Sequence, residues 1–251
     1  MMNIQKRFYQ NRVALNVLAN SVENAKQVFE AAEGHVLLGV LSKDYPTVDT
    51  AVKAMKEYGE VIDNSVSIGL GAGDNRQAEV VADIATYYPG SHINQVFPSV
   101  GATRANLGEK DSWINALVSP SGKVGYVNIS TGPYSAEVGE AAIIPIKAAI
   151  ALVRDMGGNA LKYFPMKGLK HEDEYRTVAK VCGEEGFALE PTGGIDLDNF
   201  ATILEIALEA KVPKIIPHVY SSINNKETGE TNEEDVRKLL AITKELVAKY
   251  A

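Results

Sequence analysis

A lysine stands where a lysine is costly. Lys162 lies in the segment Ala160-Leu161-Lys162-Tyr163-Phe164-Pro165, among apolar and aromatic neighbours that read as a buried strand. Burying a charged amine is unfavourable unless the charge is lost or paired. Desolvation lowers an amine's pKa, and a neutral amine can attack a ketone carbon. The plainer reading is an ammonium that reaches solvent along its alkyl stem or pairs with a carboxylate. Tyr163, alternating with Lys162, faces the other way and is expected to pack.

Farther along, Pro191-Thr192-Gly193-Gly194-Ile195 lies between a strand and a helix. Two glycines allow backbone to approach a ligand. Their N–H groups, the Thr192 hydroxyl and the helix start suit an anion such as a phosphate. A tight turn capped by Asp196 is the plainer alternative.

Positioning these groups requires a scaffold, and the chain alternates short β-branched runs with amphipathic stretches. Strands are predicted at Arg12–Ala19, Val36–Leu41, Val66–Leu70, Ile93–Phe97, Gly125–Ile129, Ala160–Phe164, Phe187–Glu190 and Lys214–Val219. Helices are predicted from a Ser21 cap to Ala32, then at Thr47–Tyr58, Arg76–Tyr88, Pro145–Met156, Glu172–Glu184, Leu197–Ala210 and Glu233–Lys249. The strands show no clean polar/apolar alternation, which suits a parallel sheet covered on both faces. Pro120-Ser121-Gly122 is a turn signal between Asn115–Val118 and Lys123–Ile129, so a hairpin insertion is expected before strand five. Eight βα units in 251 residues predict one α/β domain over 1–251, a (β/α)8 TIM barrel. A doubly wound sheet fits less well, because no Gly-x-Gly-x-x-Gly follows the first strand.

Barrel active sites form at the C-terminal strand ends. Those ends carry Lys43 and Asp44, Gly71-Ala72-Gly73-Asp74, Ser99 with Arg104, Ser130 with Thr131, Lys162, Glu190 to Gly194, and His218 with Ser221 and Ser222. The set holds amines, carboxylates and hydroxyls, without paired histidine ligands or a Gly-Lys-Ser/Thr phosphate loop. Arg104 reads as a bidentate anion ligand, a contact to a neighbouring subunit, or part of a solvated helix start. His218 reads as a hydrogen-bonded core residue or as a catalyst.

Three of these segments together resemble a known family. Leu161-Lys162-Tyr163-Phe164-Pro165 resembles the Schiff-base lysine motif of 2-keto-3-deoxy-6-phosphogluconate aldolases. Pro191 to Ile195, followed by Asn199, resembles their phosphate-binding motif, and Gly71-Ala72-Gly73 is similar to their Gly-Ala-Gly. Over nearly its full length the chain resembles the branch of these aldolases that acts in glucosaminate breakdown. The resemblance implies a class I aldolase, a lyase that cleaves 2-dehydro-3-deoxy-6-phosphogluconate to pyruvate and glyceraldehyde 3-phosphate. Lys162 would form an iminium at the C2 ketone and serve as electron sink, with no metal and no other cofactor.

The residues depart from the better-known members at three places. The general-base glutamate of strand two falls near Gly39, so Glu190 is the expected base, with Asp44 or Asp74 as alternates. A salt bridge from Glu190 to Lys162 or Lys43 is its plainer role. The strand-two arginine falls near Lys43, a point charge for the substrate carboxylate rather than a fork. Ser221-Ser222 replace a Gly-Gly-Ser after strand eight. The expected substrate contacts are therefore Lys43, Asp74, Arg104, Thr192, Gly193, Gly194 and Ser221. A phosphosugar isomerase or epimerase, in which Lys162 is only electrostatic, is the alternative enzyme. A non-catalytic phosphosugar-binding barrel is the alternative outside catalysis.

The remaining expectations follow from composition. A net charge of -7 disfavours nucleic acid as a partner. The single cysteine, Cys182, excludes an internal disulfide, suits a cytoplasmic protein and reads as a packed thiol. Met1 to Asn11 carries Lys6 and Arg7 but no apolar run behind them, unlike a secretory signal. No stretch approaches the roughly 18 apolar residues that span a bilayer. Association into a homo-oligomer, with the Pro120 hairpin as a contact, rests on the resemblance.

Overall fold

In a computed structural model, which describes residues 3–250, the short apolar runs become the strands of one curled parallel sheet. Met1 and Met2, part of the N-terminal stretch read above, lie outside the described residues. The elements follow as β1 (Leu15–Leu18), α1 (Val22–Ala31), β2 (Val36–Leu41), α2 (Val48–Val61), β3 (Val66–Gly69), α3 (Ala78–Tyr87), β4 (His92–Val96), α4 (Val100–Leu107), β5 (Trp113–Pro120), β6 (Tyr126–Asn128), β7 (Ile143–Pro145), α5 (Ile146–Asp155), β8 (Ala160–Tyr163), α6 (Glu172–Glu184), β9 (Ala188–Pro191), α7 (Phe200–Glu209) and α8 (Glu233–Lys249). Among the described residues seven strands pair in parallel, in the order β1-β2-β3-β4-β5-β8-β9.

The 214–219 segment joins the two edges. Ile215 bridges Val13 on one side and Leu189 on the other, and His218 bridges Asn16 and Thr192. The expected eighth strand is thus present as bridges rather than a continuous ladder. Pro217, inside the segment, has no N–H to give a ladder. The result is an α/β, TIM-barrel-like fold with, among the described residues, eight α-helices around the sheet.

Two expectations need correcting. Gly125–Ile129 is not the fifth barrel strand: Trp113–Pro120 lies in parallel between β4 and β8. The antiparallel extension therefore follows strand five rather than preceding it. The end of β5 folds back onto β6, pairing Ser119 with Asn128, and β6 pairs with β7. The crossover between β4 and β5 is α4, a short helix containing Gly101, Thr103 and Asn106. Without it the chain has no crossover that returns it to the sheet at residue 113.

Period two governs each strand. One set of side chains packs outward under the helices, where Val17, Leu38, Ile68, Ile114 and Leu161 meet helix residues such as Val28, Met55 and Val153 in the main core. Burying a side chain of this size contributes about 1.5–3 kcal/mol. Ser21 and Thr47 cap α1 and α2 by accepting the N–H of Asn24 and Thr50. The other set points into the barrel. Its lowest layer is apolar: Ala14, Leu37, Trp113, Ala160, Ala188 and Ile216 close over Ile4 and Phe8 from the N-terminal segment. The next layer, one alternate position along each strand, is polar.

Candidate active site

That second layer contains Asn16, Ser67, Asn94, Asn115, Lys162, Glu190 and His218, with His92 one alternate position below Asn94 and level with Trp113, all buried. The register sets them beside one another: Ser67 against His92, Asn94 against Asn115, Lys162 against Glu190. Lys162 is 8% exposed. Its Nζ donates to Asn94 Oδ1 at 2.8 Å. Burial lowers its pKa to about 8, against an opposing pull from the Glu190 carboxylate. Asn94 is held in turn, donating to Ser67 Oγ and Ile68 O at 3.0 Å each and accepting from Asn115 at 2.9 Å.

Glu190 is fully buried. Its carboxylate accepts from Trp113 Nε1 at 2.9 Å, Asn115 Nδ2 at 2.6 Å, His92 Nε2 at 3.0 Å and His218 Nε2 at 2.8 Å. Burial works to raise its pKa, but His92 and His218 outweigh that and hold it well below the usual carboxylate range. Hydrogen-bond inventory assigns the tautomers. Ser67 Oγ already accepts from Asn16 and Asn94, so its own proton goes to His92 Nδ1, 2.7 Å away. His218 has its pKa pushed down to about 3, first by burial and then by the Lys162 charge, so it is neutral. Its one proton sits on Nε2, facing the carboxylate. Its Nδ1 is then an acceptor for Tyr220 Oη at 2.9 Å. The ligand atoms of His92, Glu190 and His218 lie within 4.8 Å of one another, a spacing a cation could use. The pairing of two histidines about one carboxylate was not anticipated from sequence. In the assigned pattern ring protons occupy the positions a metal would take.

Above this layer opens a cavity of about 330 Å³. Lys162, Asn94, His218 and Tyr220 form part of its lining, with Leu41, Leu70 and Phe164 on apolar walls. Two loops complete it. Gly71-Ala72-Gly73 has three successive positive φ values, 84°, 51° and 72°. Thr192 to Asp196 forms the other loop, facing Ser221 and Ser222. Gly194 has φ +71°, and a Cβ there would lie 2.6 Å from Gly168 N. Asn199 Nδ2 donates to Gly194 O and Ser222 Oγ to Ile195 O, fixing the turn. Among the described residues, the N–H groups of Gly193, Gly194 and Ile195 have no protein acceptor. This is the geometry of an anion cradle.

The expected site residues therefore divide. Lys162, Thr192, Gly193, Gly194 and Ser221 share the cavity lining. Glu190 does not line it: four N–H donors enclose its carboxylate behind His218, so it cannot reach a substrate proton directly. Arg104 is committed elsewhere. It donates to Gly157 O, Ser112 O and Asn159 Oδ1 at 2.9–3.1 Å, at the starts of β5 and β8, opposite the cavity. Asp74 sits beside the lining residue Gly73 but pairs with Arg76 at 2.7 Å, which holds its pKa below the usual range. Lys43 is exposed and lies across Gly71, where a Cβ would sit 2.4 Å from Lys43 Cδ. It borders the cavity rather than lining it. His218 is both a core residue and a cavity residue. Cys182 is buried in α6, and burial pushes its thiol pKa up. Tyr163 faces away from the site and stacks on Tyr175 at 6.1 Å between ring centroids.

The relationship to known proteins agrees with this geometry. A family profile described as KDGP aldolase matches residues 9–227. The chain belongs to the KDGP aldolase family. It is 46% identical over 248 residues to a 2-dehydro-3-deoxy-phosphogluconate aldolase of Salmonella typhimurium (strain 14028s / SGSC 2262), covering 97% of this chain and 99% of that protein. Solved structures share the fold of this family member at low identity. A (S)-3-O-geranylgeranylglyceryl phosphate synthase from Thermoplasma acidophilum superposes with a TM-score of 0.59 at 12% identity, over 98% of this chain and 99% of its own. A phosphoribosyl anthranilate isomerase from Thermus thermophilus gives 0.56 at 12%, over 93% and 99%.

The residues that sequence reading missed are His92, Asn94, Trp113, Asn115, Asn16, Ser67 and Tyr220. A signal for most of them existed. Polar residues recur at alternate positions inside otherwise apolar strands, as in His92-Ile93-Asn94 and Trp113-Ile114-Asn115. Polar groups buried that way need partners, and the partners are each other.

Proposed function

We propose that this protein is a Schiff-base aldolase whose nucleophile is Lys162 and whose substrate is a phosphorylated 2-keto acid, 2-dehydro-3-deoxy-6-phosphogluconate. Cleavage would yield pyruvate and glyceraldehyde 3-phosphate. The observation that carries the reading is the buried Lys162 amine. Its pKa, about 8, leaves a usable neutral fraction near physiological pH, and its Nζ is aimed by Asn94 at the floor of the cavity. The family relationship and the relative's substrate name support the choice of substrate. The anion cradle at Thr192, Gly193 and Gly194, with Ser221 opposite, is the place for the phosphate. Lys43, on the rim, would contribute positive charge to the carboxylate end.

The wider reading is a single domain over 1–251 closed as a (β/α)8 barrel, supported by the bridges of Ile215 and His218 to both sheet edges. A cytoplasmic location is supported by one buried free thiol. No helix among the described residues is long and apolar enough to cross a membrane. A homo-oligomer is supported by Tyr134 and Val138, 86% and 61% exposed near β6 and β7, apolar surface that a second copy would cover.

Incubation with pyruvate followed by borohydride reduction tests the mechanism. One reduced pyruvate on Lys162 is expected by peptide mass mapping, at a rate that rises with pH through about 8. No adduct at that lysine would refute the Schiff-base reading.

A further inference from the structure

We propose that Tyr220 is the residue that passes protons to and from the substrate, with His218 and Glu190 arranged behind it as a relay. This inference rests on the Schiff-base reading above and supplies the acid/base group that reading lacks. Glu190 is enclosed and cannot touch a substrate. Tyr220 lines the cavity that Lys162 also lines. Its hydroxyl stands 2.9 Å from His218 Nδ1 and 3.2 Å from Asn16 Oδ1. The His218 ring is fixed by Glu190 at Nε2, 2.8 Å away, which leaves Nδ1 as an acceptor toward the hydroxyl. A carboxylate orients an imidazole, and the imidazole polarises a hydroxyl. That is the logic by which a third group sets up an activated side chain.

The step balances. In cleavage of the iminium, the C4 hydroxyl proton passes to Tyr220 Oη as the Tyr220 proton passes to His218 Nδ1. The C4–O bond becomes a carbonyl. The C3–C4 bonding pair becomes the C2=C3 bond, and the iminium π pair returns to Lys162 Nζ, giving a neutral enamine. After the aldehyde departs, Tyr220 gives its proton to C3 and regains one from His218, and the pyruvate iminium awaits hydrolysis.

Electrostatics couples the two halves. Burial and the positive charge at Lys162 hold His218 neutral. Enamine formation removes that charge just as the imidazole takes a proton, and Glu190 is in place to balance the imidazolium. Positive charge thus moves from Nζ to the ring instead of accumulating.

The test separates the relay from the nucleophile. Wild-type protein, Tyr220→Phe and His218→Gln are each incubated with pyruvate. The borohydride-trapped adduct at Lys162 is measured at equilibrium, and exchange of the pyruvate methyl protons is followed by NMR in deuterated water. Both variants are expected to form the adduct but to exchange about 100-fold or more slowly, the range general acid–base catalysis supplies. His218→Gln retains an N–H for Glu190, so it carries the test alone if Tyr220→Phe does not fold. Exchange within roughly threefold of wild type in a variant that forms the adduct overturns the relay. Loss of the adduct in both variants overturns it too, by placing these residues in iminium formation. Absence of the adduct in wild-type protein refutes the Schiff-base reading, and the relay falls with it.

Discussion

Lys162 shows how a single residue sets stability against chemistry. An ordinary lysine holds its proton up to about pH 10.5, whereas this one, buried, releases it near 8. Between those values the unfolded chain binds more protons than the folded one, so unfolding free energy rises with pH across that window. Below about pH 8 both states are protonated, and the folded protein carries the full net cost of the buried charge, about 3 kcal/mol at 1.36 kcal/mol per pH unit. Lys162→Met, similar in shape and uncharged, is therefore expected to be inactive yet more stable at pH 7 by about 1–3 kcal/mol, with the advantage shrinking toward pH 10. Urea unfolding at the two pH values measures it. A variant less stable than wild type at pH 7 would show that the hydrogen bond to Asn94 and the attraction of the Glu190 charge outweigh the cost of burial. At this scale sequence reading works for the buried amine that we propose as nucleophile, because an amine inside an apolar strand stands out by itself. It fails for Glu190, because a carboxylate at a strand end looks the same whether it faces substrate or four N–H donors.

Among the elements, α4 is the one whose role was hardest to read. Its eight residues mix Gly101, Thr103 and Asn106 with few large apolar side chains, so periodicity is weak. Its position depends on a contact visible only in three dimensions. Arg104, in its last turn, donates to carbonyl oxygens of Gly157 and Ser112 and to Asn159 Oδ1. Asn159 Oδ1 also accepts from Ile114 N, so the same cluster ties α4 to the starts of β5 and β8. Arg104→Met keeps the half-buried alkyl stem but leaves these acceptors unpaired. A cost of about 1–3 kcal/mol is expected in denaturant unfolding, with pyruvate trapping on Lys162 unchanged. Weakened substrate binding with no loss of stability would return Arg104 to the ligand role read from sequence. The helices whose apolar stripes are strong, α6 and α8, were readable to the residue, as was β2. Their signals are local, whereas the reason for α4 lies 50 residues downstream.

At the scale of the molecule, the barrel interior is divided into an apolar plug and a polar layer, and the polar layer governs response to acid. His218 in the unfolded chain takes a proton below about pH 6.5, but in the folded protein not until about 3. Glu190 has its pKa depressed from an ordinary 4.5. For both groups the unfolded state binds more protons as pH falls, so both remove stability in the same direction: His218 from about 6.5 downward, Glu190 from about 4.5 downward. Lys162 contributes a constant term there, because both states are protonated. The His218 contribution alone reaches about 3 kcal/mol at pH 4.5. Urea midpoints are expected to hold between pH 7 and 8 and to fall steeply by pH 4.5. His218→Gln, which donates to Glu190 without titrating, should lose about 3 kcal/mol less over that interval. An equal loss in the variant would mean that His218 is not held neutral in the folded protein and that its Nδ1 is no acceptor for Tyr220. The outcome therefore bears on catalysis as well as on stability, because the same neutral ring that makes the protein acid-sensitive is the one that can receive a proton in the cavity.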